Sequence, residues 1–140
     1  MNHVLEHLGR STQVYLGVMR ELYRVCAPGA TIRIAVPHPR HDDFLADPTH
    51  VRPVTPRGLE LFSKAKNREW LAAGYANSTL ALDLDVDFEI VRADNSLDPA
   101  WGVPLAQGRI TQAEVAVAAA RYNNVVKEIR MVLRVVKRAG

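Results

Sequence analysis

Cysteine occurs once, at Cys26, so no disulfide can close within the chain. That usage fits a reducing compartment and sets the expectation of a cytoplasmic location. No stretch approaches the ~20 continuous apolar residues that a membrane-spanning helix needs. The opening MNHVLEHLGR has no basic region followed by an apolar core, so it does not read as a secretory signal. Lysine and arginine form no long run, and the formal charge is only +3. A phosphate-tracking stripe is missing, which makes nucleic acid an unexpected partner. Aromatics are scarce: Tyr15, Trp70, Tyr75, Trp101 and Tyr122 stand singly, without basic flanks. They read as packing groups rather than as base-stacking platforms.

Apolar residues nevertheless make up 48% of the chain, enough to build a core. A length of 140 residues sets the expectation of one domain over residues 1–140. Ser11 or Thr12 can cap a helix whose apolar positions are Val14, Val18, Met19, Leu22 and Val25. Ala27-Pro28-Gly29 stops it. Thr31–Val36 then reads as a buried strand. Helix, Pro-Gly turn and strand together form the second half of a crossover unit, which predicts a strand in a parallel sheet.

Residues 37–56 carry five prolines and three histidines and read as a long loop. A helix restarts at Thr55-Pro56, and a second short one is expected within 66–76. In 84–92, Leu84, Val86, Phe88 and Ile90 alternate with Asp85, Asp87 and Glu89. In 125–137, Ile129, Met131, Leu133 and Val135 alternate with Arg130 and Arg134. Opposite charges on the outer faces predict that these two strands pair antiparallel. Between them, Thr111-Gln112-Ala113-Glu114 is a capping-box pattern, and Asn123-Asn124 a turn. The expected fold is α/β, with one parallel strand, a C-terminal antiparallel pair and flanking helices.

Several of these stretches, in order, resemble one family. Asn2–Leu8 resembles the "hxxEHL" segment after the fourth strand of class I S-adenosylmethionine-dependent methyltransferases. Arg20–Val36 resembles their "ExxRVLxPGGxLxIxVP" helix-turn-strand, with Cys26 and Ala30 where Leu and Gly are common. Pro37-His38, Asp47–Arg52 and Thr55-Pro56 resemble a "PH…DPTHxRxxT" insertion of a subgroup. The resemblance covers nearly the whole chain and implies a Rossmann-like fold whose N-terminal, cofactor-binding half is absent from these residues. No glycine-rich turn is present, because the eight glycines are scattered.

The resemblance implies S-adenosylmethionine as cofactor, with Asn2, His3 and Glu6 nearest to it. It implies His38 and His50 as catalytic groups able to handle a proton of the methyl acceptor. Asp47 and Arg52 would belong to a substrate-facing loop. Plainer readings stand beside these. Glu6 and His7 can cap and pair at a helix start, Asp47-Pro48-Thr49 can be an Asx or ST turn, and His50 can pack the loop. His3-Val4-Leu5-Glu6-His7 is also formally H-x-x-E-H, an inverted zinc-protease motif. It lies at the chain start with Gly9 close behind, so no metal site is expected from it. Cys26 reads as buried and inert. With its neighbour missing, the 31–36 strand would present an open edge, which predicts a homodimer or larger assembly. Two functions follow: transfer of a methyl group to an acceptor, or a non-catalytic oligomeric module that keeps the half-fold and does not bind the cofactor alone.

Overall fold

The computed structural model describes residues 1–137. The alternation of Ile129, Met131, Leu133 and Val135 folds as β3 (Val126–Val135), and all four side chains are buried. β3 is the middle of a three-stranded sheet, flanked by β1 (Thr31–Pro37) and β2 (Phe88–Leu97). Both neighbours pair with it antiparallel. The expected parallel sheet is therefore corrected: the late strand β3 inserts beside β1 and satisfies its backbone in the opposite sense. β1 and β2 consequently run in the same direction without pairing with each other. Among the described residues, parallel pairing is confined to an isolated bridge between Asn2 and Ala35. There the N–H of His3 donates to the Ala35 carbonyl (2.9 Å), and the N–H of Ala35 donates to the Met1 carbonyl (3.0 Å).

The antiparallel pairing of β2 and β3 is as the charge pattern predicts. Glu89 stands opposite Arg134, and their side chains meet at 2.7 Å. The strand begins later than expected, at Phe88. Leu80–Asp83 forms the short helix α5, and Asp85 has φ +52°, which breaks the alternation. Val86 and Phe88 are still buried.

Helix α1 (Thr12–Val25) is capped by Ser11, whose Oγ accepts from the Val14 N–H. Its inward face is rotated from the expected one. Tyr15 and Met19 are buried, with Leu16, Leu22, Tyr23 and Cys26 packed beside them, whereas Val14 and Val25 are exposed. Two tyrosines cause the rotation. Tyr15 packs edge-on against Phe62, and Tyr23 packs edge-on against Phe88 while its hydroxyl donates to the Val136 carbonyl. Cys26 is half-buried rather than fully buried. Past the helix end, Gly29 at φ +74° donates its N–H to the Val135 carbonyl, locking the turn to β3.

The loop 37–56 holds one helical turn, α2 (Asp42–Leu45), and α3 (Pro56–Leu59) follows with Thr55 as its cap. α4 (Lys64–Ala72) is tied to α5 by Asn67, which is buried. Its amide donates to the Leu61 carbonyl and accepts from the N–H of Ala81 (3.0 Å). Between β2 and the expected capping-box helix α7 (Gln112–Arg121) lies an additional helix, α6 (Pro99–Ala106). Gly102 and Pro104 disguise it in the sequence, but Asp98 caps it and Pro99 occupies its first turn. Trp101 and Leu105 pack with Val115, Ala118 and Val125 in a second small core. Among the described residues no helix is long and apolar enough to cross a membrane.

The main core depends on β3, so Leu133→Ala should cost about 2–5 kcal/mol of unfolding free energy. The exposed Val117→Ala should change it by less than about 0.5 kcal/mol. Urea unfolding of both variants checks the contrast.

Candidate functional site

Some of the residues singled out in the sequence gather between the N-terminal segment and the loop after β1. Leu5–His7 forms a single 3-10 turn, not a long helix. His3 precedes it at φ +50°. His3 and His7 therefore do not share a helical face, and the inverted zinc-protease arrangement is not formed. His3 instead lies between two carboxylates, its Nε2 2.8 Å from Glu128 and its Nδ1 3.4 Å from Glu6. Burial raises the Glu128 carboxyl, but the hydrogen bonds and charges of Arg130 and His3 outweigh this and hold it below its ordinary value.

Glu6 is fully buried, and neither carboxylate oxygen receives a hydrogen bond. Its backbone carbonyl accepts from the Val51 N–H, which fastens the 3-10 turn to the loop. His7 Nδ1 is 2.9 Å from the Thr49 hydroxyl. Thr49 in turn donates its hydroxyl and its N–H to Asp47 Oδ1 at 2.6 and 2.8 Å. Asp47-Pro48-Thr49 is thus the Asx-type turn of the plainer reading, and these hydrogen bonds hold the Asp47 carboxyl below its ordinary value. His50 Nδ1 donates to the Phe44 carbonyl, and its ring stacks on Phe44 and lies 4.6 Å from the His7 ring.

Arg52 faces the protein. Its guanidinium donates to the carbonyls of Gly9 (2.6 Å) and Ser11 (3.3 Å) and lies 3.9 Å above the Tyr15 ring. It anchors the loop to the start of α1, a role that its carbonyl-rich surroundings assign and its sequence position did not reveal. Gly9, at φ +77°, is needed here: a Cβ would come within 2.7 Å of the Tyr15 backbone.

His38 belongs to a neighbouring group. Its N–H donates to the Lys127 carbonyl, and its Nδ1 accepts from the Arg40 N–H. His41, which the sequence reading passed over, is buried. Its Nδ1 caps α2 by accepting from Asp43, so its Nε2 donates to Asp98 at 3.2 Å. The Asp98 carboxyl is held down by the Ala100 N–H first and by His41 second. Arg40 reaches the carbonyls of Ala119 and Ala120, tying the loop to the end of α7. The structure thus brings Glu6, His7, Asp47, Thr49 and His50 together with His3 alongside, and leaves Asn2 exposed on the β1 edge.

No family model matches the chain, and no curated protein matches its sequence. Its fold is similar to the crystal structure of a SAM-dependent methyltransferase from Archaeoglobus fulgidus. The two share 16% identity at a TM-score of 0.52, over 96% of this chain and 57% of that one. The chain thus spans little more than half of that structure, and at this identity the likeness establishes the fold alone.

Burial first, then the charges of Arg40 and His41, lower the His38 pKa. His38 should therefore titrate below about 6.5, the value of a free histidine. The unfolded chain then binds more protons in the interval below that value, so this contribution to stability is complete above it and is lost as pH falls through it. NMR titration of the histidine rings reads the midpoint, and His38→Gln should flatten that part of the stability profile.

Proposed function

We propose that these residues form the C-terminal portion of an S-adenosylmethionine-dependent methyltransferase. In this reading Asn2, His3 and Glu6 line one wall of the cofactor site, and His38 and His50 serve the acceptor's proton. Asp47 and Arg52 shape the loop over the acceptor, Arg52 by anchoring it. The observation that carries the reading is the fold likeness over 96% of the chain. The reading brings with it a single domain over 1–140, a cytoplasmic location and no nucleic-acid partner, all of which rest on length and composition.

The residues present do not fit the whole cofactor. Gly29 lies before β1 rather than at its carboxyl end, and the space around its Cβ position is open rather than a ligand cradle. Gly9 is filled against Tyr15. The remainder of such a site would come from outside these residues. A second copy could pair along β1, because beyond Met1–His3 the outer edge of β1 has no strand neighbour among the described residues. That same edge supports the alternative of a non-catalytic oligomeric module.

Calorimetric titration with S-adenosylmethionine and S-adenosylhomocysteine, paired with light scattering, tests the proposal. Micromolar binding, about −8 kcal/mol, together with a dimer mass supports the enzyme reading. A dimer without heat at millimolar ligand leaves the module. A silent monomer removes both.

A further inference from the structure

We infer that Glu6, His7 and His50 form a binding site for a first-row divalent metal ion of the zinc type. The ligand atoms of these three side chains lie within 4.8 Å of one another. Zinc sits about 2.0–2.2 Å from imidazole nitrogens and carboxylate oxygens. Neighbouring ligands of a tetrahedral ion therefore stand roughly 3.3–3.6 Å apart, so the three side chains must close in by about an ångström to hold it.

The hydrogen bonds around the cluster select the nitrogen that each histidine offers. The Phe44 carbonyl can only accept, so His50 carries its proton on Nδ1 and keeps a lone pair on Nε2. Thr49 spends its hydroxyl proton on the Asp47 carboxylate, so its oxygen accepts from His7 Nδ1–H. His7 likewise keeps its lone pair on Nε2, which stands 4.0 Å from Glu6 Oε1. Metal-bound histidines characteristically donate the other ring N–H to a carbonyl or a carboxylate-linked group, which fixes tautomer and orientation. Both histidines already have that partner. Phe44 stacked on His50 and the Val51–Glu6 backbone bond hold the ligands further.

Glu6 supplies the independent reason for a cation. A fully buried carboxylate that accepts no hydrogen bond is costly unless it is paired or bound to a metal. The imidazoles near it, His3 at 3.4 Å and His7 at 4.0 Å, make no hydrogen bond to it. Two imidazoles and one carboxylate are a donor set suited to zinc, with a further position left for water or an oxygen of a bound molecule. The assignment needs only these three side chains and does not depend on the methyl-transfer reading.

The test is titration of the full chain with Zn2+ by calorimetry and with Co2+ by visible d–d absorption, alongside thermal unfolding. The expected result is one equivalent bound at micromolar affinity and a Zn2+-dependent rise in Tm. Glu6→Gln, His7→Gln and His50→Gln should each weaken binding on the order of 100-fold or more, since loss of mere outer-shell partners already costs 10–100-fold. Circular dichroism confirms that each variant is folded, and His41→Gln should bind as the parent does. The inference is overturned by no binding at millimolar ion, or by binding that survives His50→Gln and His7→Gln. It is equally overturned by binding that is lost only in His3→Gln, which would put the ion between His3 and Glu128.

Discussion

Everything in this molecule leans on the pairing of β3 with two strands at once. Ile32, Ile34 and Val36 on one side and Phe88 on the other become part of a continuous buried surface only because Ile129, Met131, Leu133 and Val135 fill the middle. α1 covers that surface through Tyr15 and Met19, and the short helices following the loop cover it through Leu59 and Phe62. The turn at Gly29 and the hydroxyl of Tyr23 are bonded to Val135 and Val136, so even the helix reports to the central strand.

The loop owes its shape to the same economy of backbone satisfaction. A segment with five prolines cannot form a ladder of its own. Its polar groups are met from outside, by Arg52 at the carbonyls of Gly9 and Ser11, by Arg40 at the end of α7, and by Asn124 accepting from Asp42. The side chains that chemistry would use are therefore mounted on a loop held at several points. Glu6 and His50 occupy fixed places relative to each other although 44 positions separate them in the chain.

Much of this was legible in the residues, and the exceptions have physical causes. The capping box at Thr111 and Glu114, the helix stop before Gly29 and the charge-matched pairing of Glu89 with Arg134 depend on neighbours in sequence or on simple alternation, and each formed as read. The inward face of α1 was misjudged because tyrosine is both apolar and polar, and only Phe62, Phe88 and Arg52 reveal which side it uses. The direction of pairing at β1 depended on which strand arrived beside it, a question of tertiary competition. The Asx turn at Asp47 was open to either reading. No spacing rule links Glu6, in a 3-10 turn, to His50, in a loop so far along the chain; the family resemblance alone placed both about one site.

The strand order carries a consequence for how the chain is born. β1 is complete at residue 37 and β2 at residue 97, yet the strand that joins them ends at residue 135. On a ribosome adding about 5–20 residues per second, the apolar β1 must wait on the order of 5–20 seconds for its partner. These three strands cannot pair in the order in which they are made; β1 and β2 are joined only when β3 emerges between them. A chain that stops short of β3 leaves Ile32, Ile34 and Val36 without their antiparallel ladder, so closure of this three-stranded sheet rests on one ten-residue strand.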